Sequence, residues 1–209
     1  MSSLADTLIV QVDKALRTLA GNPSAARENP AAAVADGALS PEQVQHAAGL
    51  MRVNHTGEIC AQALYEGQAL TAKDASTRNA LQAAADEETD HLAWCEERLT
   101  ELHSRPSVLN PAFYALSYVM GAATGLMGDK VSLGFVEATE DQVCKHLEDH
   151  LETLPEEDAR SREIVKTMHE DEARHGANAL DAGGEEFPEP VKRAMTLASR
   201  IMTETTYRL

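Results

Sequence analysis

Two strings in this chain pair a glutamate with a histidine three residues later: Glu88 and His91 in "DEETDHLAWCEE", and Glu172 and His175 in "EDEARHGANAL". On a helix, positions i and i+3 project from one face, so each string presents a carboxylate and an imidazole together. These are donors for borderline divalent cations such as iron and manganese. A single Glu-x-x-His arises readily in an acidic helix and then reads as a face rinsed by water. Here the motif occurs twice, with one interval carrying Glu88 to Glu172 and His91 to His175, which points to a repeated unit.

If a repeated helix pair builds a site, each first helix supplies one more acid. Glu58, in "VNHTGEICA", precedes Glu88 by nearly the same interval as Glu140, in "VEATEDQVC", precedes Glu172. With 34 acids in the chain, some glutamate near such a position is expected, so these two weigh less than the Glu-x-x-His pairs. The order Glu, Glu-x-x-His, Glu, Glu-x-x-His is the donor inventory of carboxylate-bridged di-iron or di-manganese helical bundles. Four carboxylates and two neutral imidazoles cancel the charge of two divalent ions and leave coordination positions open for dioxygen.

The elements that must position these donors are helices. Ala, Leu, Glu and Met are frequent, and only 4% of residues are aromatic, which favours helix over sheet. Nothing alternates at period two over a useful length, so the expected fold class is all-α. Leu4, Leu8, Val12, Ala15, Leu16 and Leu19 recur at helical spacing near the N-terminus, and "NPSAARENPAAAVADGALSPEQ" after Gly21 reads as an irregular linker to about Ser40. Ser40-Pro41-Glu42-Gln43 is a cap, a Pro at the first helical position and a Gln at the third. It opens a long helix to about Ala72, with Gly57 a weak point. Further helices are expected from about Ala75 to His103, from Asn110-Pro111 through an apolar run, from Asp129 to Leu154, from Pro155 to the Gly183-Gly184 pair, and from Val191 to about Thr206. The long connection from Arg105 to Asp129 suits a crossover between the second and third bundle helices. The expected division is residues 1–40 as helix plus linker and 41–209 as the bundle domain.

Composition excludes some functions. A net charge of −16 without a basic patch argues against nucleic acid. Cys60, Cys95 and Cys144 are widely spaced and include no Cys-x-x-Cys, so neither a thiolate zinc site nor a disulfide framework is indicated, and a reducing cytosol fits. The N-terminus lacks the basic start and apolar core of a signal peptide.

"RVNHTGE" (52–58), "YEGQ" (65–68), "DHLAW" (90–94), "RPSVLNP" (105–111), the glycine-rich "MGAATGLMG" and the terminal "YRL" resemble the demethoxyubiquinone hydroxylase family of quinone biosynthesis, from about Arg52 to Leu209. The first fifty residues carry no part of the resemblance. It implies a ferritin-like bundle with two iron ions that hydroxylates a demethoxyquinol ring using dioxygen. Carried over, the iron ligands are Glu58, Glu88, His91, Glu140, Glu172 and His175, with Glu88 and Glu172 bridging. The family shows two adjacent acids where this chain has Glu140-Asp141; Glu137, one turn earlier, competes with Glu140. Where the family often has a His-His pair this chain has Lys145-His146, which leaves His146 as the candidate substrate-side or reductant-side group. Asp171 and Glu87, each just before a proposed bridging glutamate, either serve the histidine of the opposite half or are helix-surface charges. His55 either lines the same face as Glu58 or is a core histidine, and Cys95 reads as a small buried residue.

The whole stretch from Pro106 to Gly128 carries no charged residue. A spanning helix needs about 20 mostly apolar residues, but Pro111 and Gly-Ala-Ala-Thr-Gly suit one poorly. An interfacial lip that admits a polyprenyl quinol is expected, with a buried crossover helix as the alternative. No strand precedes Gly121, Gly125 and Gly128, so they form no dinucleotide fingerprint; NADH would bind otherwise, or another reductant would serve. The expected setting is peripheral, at the cytoplasmic face of the cell membrane, as a homo-oligomer that also meets other ubiquinone-biosynthesis proteins. A ferritin-like iron-storing or peroxide-handling protein and a non-catalytic scaffold are the competing readings.

Overall fold

The computed structural model describes residues 3–20 and 23–209; Met1, Ser2, the Leu4 side chain, and Gly21 and Asn22 at the expected start of the linker lie outside the described residues. Among the described residues seven helices follow in order: α1 (Leu4–Ala20), α2 (Pro41–Thr71), α3 (Ala75–Glu101), α4 (Asn110–Met127), α5 (Asp129–Thr153), α6 (Ala159–Asp181) and α7 (Glu189–Thr206). No strand occurs among the described residues. The fold is an all-α, ferritin-like bundle in which α2 pairs with α3, α5 pairs with α6, and α4 crosses between the two pairs against α2 and α5.

Local chemistry explains most helix ends. Ser40 Oγ accepts from Gln43 N–H at 3.3 Å while Gln43 Oε1 accepts from Ser40 N–H at 2.8 Å, the reciprocal cap expected of that sequence. Helix α3 ends at Glu101, two residues before expected, because His103 turns left-handed (φ 54°) and the Ser104 and His103 N–H groups close on the carbonyls of Leu99 and Thr100. Gly183 (φ 99°) and Gly184 close α6 in the same way on Leu180 and Ala179. The expected start of α6 at Pro155 is corrected: Asp158 Oδ1 accepts the Ser161 N–H at 2.9 Å, so the helix begins at Ala159 and Pro155 stays in the preceding turn. A side-chain cap satisfies an orphan donor that proline alone leaves open. Helix α2 runs unbroken through Gly57.

Helix α2 is buried on most sides, with α3 and α4 on its flanks. Two of its buried amides donate across to neighbouring elements, Gln62 Nε2 to Thr89 Oγ1 at 2.9 Å and Gln68 Nε2 to the Ser132 carbonyl at 2.8 Å, while Gln68 Oε1 is left without a partner. The glycines of the apolar run serve this packing. A Cβ on Gly121 would come within 2.1 Å of the Leu64 carbonyl, so only glycine lets α4 lie this close to α2. The opposite face of α4 exposes Leu116, Val119, Leu126 and Met127, and α1 exposes Leu8, Ile9, Val12 and Leu16. Among the described residues no helix is long and apolar enough to cross a membrane.

Residues 23–40, irregular as expected, lie as a strap across the bundle. Ala31 is fully buried in the cluster of Met51, Trp94, Leu99, Ile164 and Met168. Buried Arg98 binds the strap through Asp36 (3.0 and 3.1 Å), α3 through Glu101 (2.7 Å) and the α6 cap through Asp158 (2.8 Å).

Buried His150 on α5 has no hydrogen-bond partner at Nδ1, and burial pushes its pKa down to about 4. The unfolded chain takes up this proton near pH 6.5 and the native chain does not, so stability is lost as pH falls from about 6.5 towards 4, by up to about 3 kcal/mol. Chemical denaturation of His150→Leu should show a shallower loss over that window than the parent; equal slopes would contradict the assignment.

Candidate metal centre

The repeat does what its spacing suggests. Helices α2, α3, α5 and α6 bring Glu58, Glu88, His91, Glu140, Glu172 and His175 to one interior cluster, none more than 6% exposed. Glu58, Glu88, His91 and Glu172 offer donor atoms within 4.8 Å of one another, and so do Glu88, Glu140, Glu172 and His175. Glu88 and Glu172 belong to both groups.

The imidazoles are oriented alike. His91 Nδ1 lies 3.0 Å from Glu88 and from Glu172, and 3.6 Å from Glu58. His175 Nδ1 lies 3.1 Å from Glu172 and 3.2 Å from Glu88. Each Nε2 points the other way: His91 to Asp171 Oδ2 at 2.9 Å and His175 to Glu87 Oε2 at 3.2 Å. Asp171 and Glu87 thus each partner the histidine of the opposite half. An acceptor at Nε2 holds a proton there, so Nδ1, the nitrogen that faces the carboxylates, is the one that would give up its proton to an ion.

Electrostatics fit the same use. Burial pushes the Glu58 and Glu140 carboxyls well above the usual range, and neighbouring glutamates add to this. Burial opposes charge on His175, yet hydrogen bonds with Glu172 and Glu88 carry it up to about 11. Four carboxylates in one dry pocket require positive charge close by. Glu88 Oε1 is fully buried and faces His175 Nδ1 at 3.2 Å, with no other hydrogen-bond partner. Six O and N donors in two overlapping sets, joined through two shared glutamates, fit two divalent cations.

The other candidates separate cleanly. Glu137 stands outside both donor sets and pairs with Lys192 at 3.0 Å. His146 also stands outside them, with Ser199 on α7 as its partner at 3.1 Å. His55 is a core histidine: its Nδ1 lies 3.3 Å from the Asn110 amide nitrogen, and burial pushes its pKa down to about 4. Cys95 is buried beside Met168. Two contributors escape sequence reasoning. Tyr65 is fully buried and donates its hydroxyl to Glu140; its place two helical turns after Glu58, on the same face, is the signal that would find it. Arg27, from the strap, donates to Asp171 at 2.7 Å, and nothing local in the linker announces it.

Fold and cluster together define a class: an all-α bundle whose interior carries a paired carboxylate–histidine donor set suited to metal. The chain belongs to the family described as ubiquinone biosynthesis protein COQ7, which it matches over residues 45–206. It is 59% identical to a protein of Ectopseudomonas mendocina, over 99% of this chain and 97% of that one. It is 58% identical to a protein of Pseudomonas aeruginosa (98% and 95%) and 57% identical to one of Azotobacter vinelandii (99% and 97%). All three are called 3-demethoxyubiquinol 3-hydroxylase. The likeness therefore reaches beyond the Arg52 start expected from motifs and takes in almost all of the N-terminal segment.

Proposed function

We propose that this protein is a di-iron, dioxygen-dependent monooxygenase that hydroxylates the ring of a polyprenyl demethoxyubiquinol in ubiquinone biosynthesis. The observation that carries this reading is the sharing of Glu88 and Glu172 between two buried donor sets, each completed by its own histidine and its own terminal glutamate. The activity named for relatives at 57–59% identity supports the substrate class.

Glu58, Glu88, His91, Glu140, Glu172 and His175 would hold the two ions, which when bound supply the reducing equivalents and the open positions that activate dioxygen. The net reaction inserts one oxygen atom into a ring C–H bond and reduces the other to water, consuming two electrons from NADH or a quinol and two protons, one of them from solvent where NADH is the donor. The chain's own residues prepare this. Asp171 and Glu87 hold the Nε2 protons, so both Nδ1 atoms face inward. Tyr65 fixes the Glu140 carboxylate. Burial of all six donors keeps bulk water from them.

The exposed apolar faces of α1 and α4 form the surface that rests on a bilayer and receives the prenyl tail, at the cytoplasmic side of the membrane. Residues 41–209 act as the bundle domain. Self-association and contacts with other ubiquinone-biosynthesis proteins belong to the same reading. Gly121 and Gly125 are occupied in packing against α2, so NADH would bind elsewhere than in a glycine loop there.

Iron-loaded protein given a short-tailed demethoxyubiquinol, reductant and air should convert it to the hydroxylated quinol, resolved by chromatography. Consumption of oxygen and oxidation of iron with the quinol intact would support iron handling instead.

A further inference from the structure

The register that relates Glu88 to Glu172 and His91 to His175 also relates Asp90 to Arg174, and at that place the halves carry opposite charges. In the second half the guanidinium belongs to the ligand helix. Arg174 Nη2 donates at 2.7 Å to Glu87 Oε2, the oxygen that faces His175 Nε2. In the first half α3 carries Asp90 instead, and Asp90 recruits an arginine from the strap. Its Oδ2 accepts from Arg27 Nε at 2.7 Å, and its Oδ1 accepts the Ala26 N–H at 2.6 Å. So held, with its guanidinium carbon 4.8 Å from the centre of the Trp94 ring, Arg27 donates from Nη2 at 2.7 Å to Asp171 Oδ2. That is the oxygen 2.9 Å from His91 Nε2.

The 3.3 Å approach of Arg27 Nη2 to His91 Nε2 follows from this. A guanidinium cannot accept a hydrogen bond. The two nitrogens are both donors converging on one carboxylate oxygen, an arrangement that keeps a proton on Nε2 and leaves Nδ1 as the atom that faces the glutamates. Asp171 also receives Arg174 at 2.7 Å through Oδ1, so two guanidiniums lock it from opposite sides.

We propose that Arg27 is a positioning residue of the metal centre, supplied by the N-terminal strap: by fixing Asp171 it orients His91, as Arg174 does for Glu87 and His175. The inference rests on reading the cluster as a two-ion site. Arg27 lies outside the family match at 45–206, yet within the length shared with the relatives above. Since an ion in the His91 half favours the docked strap, the docked strap favours the ion to the same degree.

The test is an anaerobic Co(II) titration of the full chain, followed by equilibrium dialysis and ligand-field absorption. The parent should bind two Co(II). Arg27→Gln should weaken one of the two by about 10–100-fold and leave the other unchanged, with partial recovery in Arg27→Lys. Arg27→Gln/Arg174→Gln should weaken both. Two ions bound by Arg27→Gln with parental affinity, or both weakened equally, would overturn the proposal while leaving the two-ion reading intact; no Co(II) bound by the parent would overturn both. A second measurement needs no variant. Saturating Co(II) should slow tryptic cleavage after Arg27 severalfold relative to cleavage after exposed Arg17 on α1, and an unchanged ratio would count against the proposal.

Discussion

Glu172→Ala is expected to lose both iron ions, not one, and with them more than about a thousandfold of turnover. Glu172 lies in both donor sets, so its carboxylate would hold both ions, and Glu88→Ala should behave the same way. Glu58 belongs to one set only, so Glu58→Ala should retain about one ion per chain. The metal-free chain should lose stability as well. Glu172 lies 3.0 Å from His91 Nδ1 and 3.1 Å from His175 Nδ1, so its removal deprives two buried imidazoles of a partner and leaves a void, and apo Glu172→Ala should melt below the parent temperature. Iron content by atomic absorption and melting curves of the apo proteins check both halves. Full iron and turnover in Glu172→Ala would sink the bridging role.

The largest stability effect is expected at Arg98. Arg98→Met keeps much of the volume of the side chain but leaves Asp158 wholly buried without its 2.8 Å partner, and Asp158 Oδ2 already has none. Removing one member of such a buried pair costs about 3–5 kcal/mol, or roughly 10 °C in a chain of this size. Arg98 is also the anchor of the strap through Asp36, so loss of the pair loosens residues 23–40 as well. Arg98→Met/Asp158→Asn should recover much of the loss, because no uncompensated charge then remains. Urea unfolding of the two variants checks this; a loss below about 1 kcal/mol in Arg98→Met would mean that solvent reaches the pair.

Much of the site was legible in the sequence because its grammar is local. A Glu-x-x-His pair has a fixed meaning on any helix, and the common interval from Glu88 to Glu172 and from His91 to His175 places two such pairs on matched elements. The acids next to the shared glutamates, Asp171 and Glu87, could be named in advance for the same reason, although the sequence left open whether they faced a histidine or water. Glu140 and Glu137 could not be separated by spacing alone. Packing separates them, since Lys192 on α7 draws Glu137 aside while Tyr65 meets Glu140. Arg27 was illegible for a different reason. It sits in an irregular segment with no period, and its role arises only when the chain folds back over α3 and α6. Pro155 shows how local signals compete. Proline permits a helix start, but Asp158 decides where the first turn closes: its side chain takes the Ser161 N–H at 2.9 Å and its carbonyl the Arg162 N–H at 3.1 Å.

The most direct test is the origin of the oxygen in the product. Protein loaded anaerobically with Fe(II), given a short-tailed demethoxyquinol and then isotopically labelled dioxygen, should yield in a single turnover a quinone carrying one labelled oxygen atom by mass spectrometry. An unlabelled hydroxylated product, or rapid oxidation of iron beside unchanged quinone, would contradict a monooxygenase centred on these six residues.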